Sequence, residues 1–434
     1  MAGRNPFRPS DGRHPSSPHG TPKMDFGIAD RPQEDSSLPA LVRFDGFSGS
    51  NAKWKEHSGG IVMDARRTHM HRNPLNTILL ILSLTLSLGA MAGCTPTDTV
   101  DIEDIHYDIE SNYLPRVNFG QKYEPKGNYI LHGAGQAANG VTISFDNYVQ
   151  GLGDLSLMPA ISMGYVAPHH NFIDWTAYMK QGLERYPDEY VMLQVGVHFN
   201  RDEDPDNVYY EQIADGEMDT LVKALILNLK SFDRPVYVRP GFEFNGEWNG
   251  YTDASIYKRA FIRFCELVEE AEAKNIAILW CYNPDASEKN YLKYYPGDEY
   301  VDWWAIDIFR IGSIESENTL SFLEDAEAHH KPVMITEATP YTFDVGAEEG
   351  WDEWFVPYFD FIRNHPVIKA TCYINWKWTD YPQWSNWGDA RLEESTTVLA
   401  HYIEELSDPI YLHAGSKDVL TPLLYRYEDL DTED

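Results

Sequence analysis

Cysteine is scarce in this sequence: 434 residues hold four, Cys94, Cys265, Cys281 and Cys372, with no C-x-x-C pair. That pattern excludes the usual zinc modules and any disulfide framework. Basic side chains are also few, 35 Lys and Arg against 68 Asp and Glu, for a formal charge of -33. A field of that sign repels nucleic-acid backbones and anionic membrane surfaces, so neutral partners fit better. No glycine-rich phosphate loop follows the first strand pattern, which runs through His132, Gly133, Ala134, Gly135 and Gln136. The adjacent pairs His169, His170 and His329, His330 lack metal-ligand spacing, so neither a metal nor a cofactor is expected. What is present is 43% hydrophobic residues with 12 Trp and 27 Tyr, which suits a packed core and not a disordered chain.

Long apolar runs are limited to residues 77–93, shorter than the roughly 20 residues that span a bilayer. Residues 1–69 are rich in Pro, Ser, Gly, His and Arg without a sustained apolar period, and read as disordered or as a misassigned extension ahead of a start at Met70. From Met70 a short basic stretch, the apolar run and small residues before Cys94 have the layout of a signal peptide, over 70–93. Met91, Ala92, Gly93 and Cys94 resemble a bacterial lipobox. That resemblance implies cleavage before Cys94, acylation of its thiol, and an exported cell-envelope lipoprotein that meets the membrane through its lipid alone. Residues 94–118 then form an acidic tether, 119–405 the globular domain and 406–434 a tail whose Leu423, Leu424 and Tyr425 are suited to pack on its outside. Residues 1–94 carry 11 basic and 8 acidic side chains, so their removal leaves 24 basic against 60 acidic.

Within the globular part, short β-branched or aromatic runs alternate with amphipathic stretches. Strands are predicted over 128–132, 158–166, 190–198, 235–243, 275–283, 301–309, 331–338 and 368–378, and helices over 208–230, 255–273 and 316–329. Ile256, Ala260, Ile262, Phe264, Leu267 and Val268 gather on one face of the clearest helix, where Cys265 reads as a packed thiol. Eight near-continuous apolar strands separated by helices predict an α/β fold, a (β/α)8 TIM barrel forming a single catalytic domain. An open doubly wound sheet is the alternative, and it lacks its phosphate loop.

In such a barrel, chemistry gathers at the carboxyl ends of the strands. Strand four ends Arg239, Pro240, Gly241, Phe242, Glu243, Phe244, Asn245, Gly246, Glu247, Trp248, Asn249, and strand seven closes an apolar run with Glu337. A buried carboxylate needs a partner, and for either one a structural ion pair with Arg239 is the bland explanation. Two opposed carboxylates across one pocket are, however, what glycoside hydrolysis uses. Arg239 shares the Glu243 face by pleat parity and is placed to hold carboxylates. Asn245 and Asn249 either meet sugar hydroxyls or cap the loop, and His198 closes strand three. Trp376 and Trp378 are predicted on one face of strand eight as a pyranose platform, with Trp248, Trp384 and Trp387 in loops.

These stretches resemble glycoside hydrolase family 26, the β-mannanase family within clan A of (β/α)8 glycosidases. The likeness is carried by RPGFEFNG from Arg239, by YPGDEYVDWWAID over 295–307 and by KPVMITE over 331–337, and it covers roughly residues 120–405. It implies that Glu243 is the acid/base and Glu337 the nucleophile of a retaining double displacement, acting on a neutral β-glycan of mannan or xylan type, with no cofactor. A monomer is expected. Two positions depart from the family's pattern: Phe242 stands where it has His, and Phe309 where it tends to have Tyr. They keep open a second reading, a surface lipoprotein that captures glycans on a degenerate barrel without cutting them.

Overall fold

The computed structural model describes residues 113–136, 143–201, 204–347 and 350–426. Cys94, residues 70–93 expected as a signal peptide, and everything before them lie outside the described residues. Among those described, no helix is long and apolar enough to cross a membrane.

Eight buried strands make the frame: β1 (Ile130–Ala134), β2 (Ile161–Val166), β3 (Met192–Val197), β4 (Val236–Pro240), β5 (Ile276–Tyr282), β6 (Trp303–Ile308), β7 (Val333–Ala338) and β8 (Ile368–Tyr373). Each pairs in parallel with the next, and Leu131 to Ala134 of β1 pair with Ala370 to Tyr373 of β8, which closes the barrel. Every residue of these strands is buried, as a parallel sheet covered on both faces requires. The fold is the expected (β/α)8 barrel. A two-residue strand, Tyr411–Leu412, pairs with Ile130 and Leu131 beside the β1–β2 seam.

Helices α1 (Ile143–Leu152), α2 (Phe172–Leu183), α3 (Asp219–Lys230), α4 (Ala254–Glu270), α5 (Glu317–Ala328), α6 (Val356–Asn364) and α7 (Thr396–Leu406) follow seven of the strands. Between β5 and β6 the crossover is built from 3-10 turns at Tyr291–Tyr294 and Asp298–Tyr300, because Pro296 and the left-handed Gly297 (φ 123) interrupt any longer helix. Helix α4 shows how sequence makes these elements. Asp253 caps it by accepting from the Ser255 and Ile256 amides, and Tyr257, Ala260, Phe261, Phe264, Leu267 and Val268 form its buried face.

Two strand bounds differ from expectation in ways that matter for the site. β4 stops at Pro240, where Pro ends the ladder and Gly241 turns left-handed (φ 55), so residues 241–243 are not pleated. β8 stops at Tyr373, so Trp376 and Trp378 lie beyond the sheet and do not share a strand face. At the opposite end of the barrel, Lys122 donates to Ile276 O, Trp303 Nε1 donates to Lys122 O at 2.8 Å, and Tyr123 N donates to Tyr425 O at 2.8 Å. Leu424, 1% exposed, seals that floor together with the segment leading into β1.

Candidate active site

The mouth of the barrel is assembled from strand ends. Glu243 follows the turn after β4 and has a positive φ of 48, a left-handed conformation that costs a non-glycine residue about 1–2 kcal/mol. Neighbours hold it there. Asn249 Nδ2 donates to the carbonyls of Phe242 (3.0 Å) and Glu243 (3.1 Å), and Phe244 stacks on Trp280 of β5 at 4.4 Å with planes 9° apart. The Glu243 carboxyl, 1% exposed, accepts from Trp248 Nε1 at 2.6 Å on one oxygen and from Asn283 Nδ2 on the other. Burial raises its pKa well above the usual carboxylate range; the charges of Asp307 and Glu337 raise it further, and the two N–H donors oppose them.

Glu337 is aimed by a different device. The register of β7 slips between Ile335 and Glu337 against β6, and again against β8, which makes a β-bulge at Thr336. Thr336 and Glu337 therefore both face inward: Thr336 Oγ1 donates to Asp307 Oδ1 at 2.5 Å, and Glu337 Oε1 accepts from Arg239 Nη2 at 2.7 Å. Arg239 also donates through Nη1 to Asp307 Oδ2 at 3.2 Å, and its Nε meets the Gln194 amide oxygen, turned toward it, at 2.6 Å. Burial works against the Arg239 charge, but Glu337 and Asp307 hold its pKa well above the ordinary value. Asp307 itself is pushed up to about 7, by burial first and then by the Glu337 charge. The tip of Tyr165 lies beside Glu337; burial, then that charge, raise its hydroxyl well above the ordinary range.

Among the residues predicted from sequence, Glu243, Glu337 and Arg239 meet in this cluster, and Trp248, half-exposed, touches Glu243 directly. His198 is 2% exposed with its ring 4.8 Å from that of Phe242, so it packs behind the site. Asn245 is corrected: its Nδ2 donates to Asn283 O and Glu288 O and its Oδ1 accepts from Asn283 N, which spends the side chain on joining two loops. Trp378 is corrected too. It is 1% exposed, bonded to Thr339 Oγ1 and packed on Trp384 and Trp387, which are themselves buried, so it offers no face to a sugar. Trp376 stays half-buried, lying near-parallel to Tyr381 (22°, 5.8 Å), and remains available as a platform. Sequence reasoning missed Asn283, Asp307, Gln194 and Tyr165 as members of the site. The signal for Asn283 was its place, a lone amide directly after the apolar run of β5.

With this geometry in hand, known proteins supply the comparison. Residues 187–365 match the family model described as Glycosyl hydrolase family 26. A β-1,3-xylanase named TXYA from a Vibrio species is 28% identical over 266 residues, covering 55% of this chain and 56% of that one. A β-1,3-xylanase from an Alcaligenes species is 26% identical over 248 residues, 50% of this chain and 52% of that one. The segment that carries Arg239, Glu243 and Glu337 is thus similar to glycosyl hydrolase family 26. The chain spans about half the length of these two relatives. Among solved structures, a family 26 β-mannanase from Bacteroides ovatus matches at a TM-score of 0.50 and 15% identity, over 68% of this chain and 92% of that one, a likeness of fold.

Against the family 26 pattern, both departures are buried. Phe309 is 2% exposed, with its ring 5.2 Å from Trp387 and its carbonyl accepting from Trp354 Nε1. Phe242, 2% exposed, does not turn away from the mouth as strict pleating would have it; its ring lies 4.7 Å from the Arg239 guanidinium.

Proposed function

We propose that this chain is a retaining glycosidase of family 26 that cleaves within a β-linked xylan, with β-1,3-xylan as its substrate. One observation carries the reading: the two carboxyl groups at the mouth have opposite environments. Glu243 lies in a desolvated pocket, which favours the protonated acid against the pull of its two N–H donors, whereas Glu337 is ion-paired with the Arg239 guanidinium at 2.7 Å. The choice of sugar rests on the two β-1,3-xylanases among the relatives.

In the first step Glu243 gives its proton to the glycosidic oxygen as that bond breaks, while a Glu337 oxygen forms a bond to the anomeric carbon. Glu243, now a carboxylate, then takes a proton from water, whose oxygen displaces Glu337 and restores the β-anomer. Trp376, half-buried, would offer its ring to a pyranose, whose axial C–H groups suit an aromatic face.

Reducing-end release from β-1,3-xylan, β-1,4-xylan, β-mannan and β-glucan tests the proposal, with NMR of the first-formed anomer as a check on retention. Turnover should be greatest on β-1,3-xylan and give the β-product. Glu337→Gln should lose on the order of 10³-fold or more in kcat while still binding oligosaccharide. An active Glu337→Gln ends the nucleophile assignment. The apolar Phe242 and Phe309 favour the second reading, glycan capture without cleavage; binding by a wild-type protein that releases no reducing ends would establish that reading instead.

A further inference from the structure

We propose that Phe242 is a positioning residue for the nucleophile: seated in the space left by Gly196, its ring holds the Arg239 guanidinium in line with Glu337. This rests on the reading of Glu337 as nucleophile.

The edges of the guanidinium are occupied by Glu337, Asp307 and the Gln194 oxygen. A planar cation bonded along its edges can still tilt, and water can still reach its faces. Here aromatic rings lie against it: the Phe242 centroid is 4.7 Å and the Tyr165 centroid 5.6 Å from Arg239 Cζ. Rings at that range attract the cation through their quadrupole and exclude water. The ion pair to Glu337 then lies in a low-dielectric surrounding, and its direction is set by packing as well as by charge.

What admits Phe242 is a missing side chain. Tyr165, Gly196 and Arg239 stand level on β2, β3 and β4. A Cβ at position 196 would fall 2.9 Å from Tyr165 Cδ1, closer than real Cβ contacts come, and 3.0 Å from Phe242 Cε1, tighter than nine in ten of them. Even alanine there would shift the Tyr165 ring and press the Phe242 ring by a few tenths of an ångström from its place beside Arg239. The φ of Gly196 is not in the left-handed region, so the glycine serves space and not backbone conformation. The turn after Pro240 completes the arrangement, since it brings Phe242 back under the mouth while Glu243 reaches into it.

The test is covalent trapping with a dinitrophenyl 2-deoxy-2-fluoro-β-xyloside, followed by intact mass. A Glu337 oxygen bonds to the anomeric carbon, and dinitrophenolate leaves with the electron pair of the broken C–O bond, so no proton from Glu243 is needed. The trapping rate constant, unlike its amplitude, does not depend on how much of a variant is folded. Phe242→Leu and Gly196→Ala should each slow trapping at saturation by about tenfold or more, with the half-saturating concentration within about twofold of wild type. Phe242→Tyr, which keeps the ring, should recover most of the rate. Trapping of Phe242→Leu at the wild-type rate, a change confined to the half-saturating concentration, or a Phe242→Tyr variant no faster than Phe242→Leu would overturn the inference alone. A wild-type protein that takes no label overturns the glycosidase reading, and this inference with it.

Discussion

Trp248 illustrates how far a residue can be read before its neighbours are known. As an indole in a loop beside an acid it suggests a sugar platform, yet its N–H is spent on Glu243 Oε2. Hydrogen bonds to a carboxylate favour the ionised form, so this bond works against the burial that raises the Glu243 pKa. Trp248→Phe removes that opposition. The pH above which the acid loses its proton should rise, moving the alkaline limb of kcat/KM to higher pH, while kcat near neutrality falls about tenfold for loss of one charge-assisted bond of ~1.5 kcal/mol. A pH–rate profile decides it; an alkaline limb that moves to lower pH would mean that the indole N–H does not stabilise the carboxylate. Glu243, Glu337 and Arg239 were legible because charged groups closing apolar runs stand out by their cost of burial. Asn283 was not, because its significance is its reach to Glu243 from another strand.

At the scale of elements, backbone irregularities decide where the acids point. The bulge at Thr336 and the left-handed residues after Pro240 each override pleat parity, so strict alternation does not describe Glu337 or Phe242. Another element-scale feature lies on the outer side of β1. His413 Nε2 donates to Leu406 O at 3.0 Å, its Nδ1 lies 3.0 Å from His132 Nδ1, and His132 Nε2 lies 2.6 Å from the Tyr148 hydroxyl. The chain of bonds ties β1, α1 and the end of α7 together with both imidazoles neutral. Burial lowers the pKa of each; the charge of the other histidine lowers His132 further, while Asp154 partly opposes the effect at His413. With folded values below the ordinary 6.5, the unfolded chain binds more protons below that pH. Stability is then complete above about pH 6.5 and declines as pH falls toward the depressed folded values, by at most about 1.4 kcal/mol per unit and per histidine. Denaturant unfolding at pH 7, 6 and 5 should show this decline, and His132→Phe should flatten it; an unchanged slope in the variant would remove the pair from the account.

Over the whole molecule, the formal charge of -33 is the largest fact, and it bears on stability more than on recognition. Raising NaCl from 0.01 to 1 M shortens the screening length from about 30 to about 3 Å. If net repulsion dominates, calorimetry should show Tm rising by a few degrees, on a scale of about 2–4 °C per kcal/mol relieved. A falling Tm would mean that surface ion pairs such as those of Arg263 with Asp219, Glu266 and Glu270 outweigh it. By itself the sequence determined the barrel, because eight apolar strands buried on both faces between amphipathic helices have few other ways to be covered. It also determined which acids stand at strand ends, since that follows from position along the chain. Only the tertiary structure decided which polar groups those acids meet and which aromatics stay open. Those outcomes depend on bulges, left-handed turns and the space beside a glycine, which are set by contacts among residues far apart in the chain.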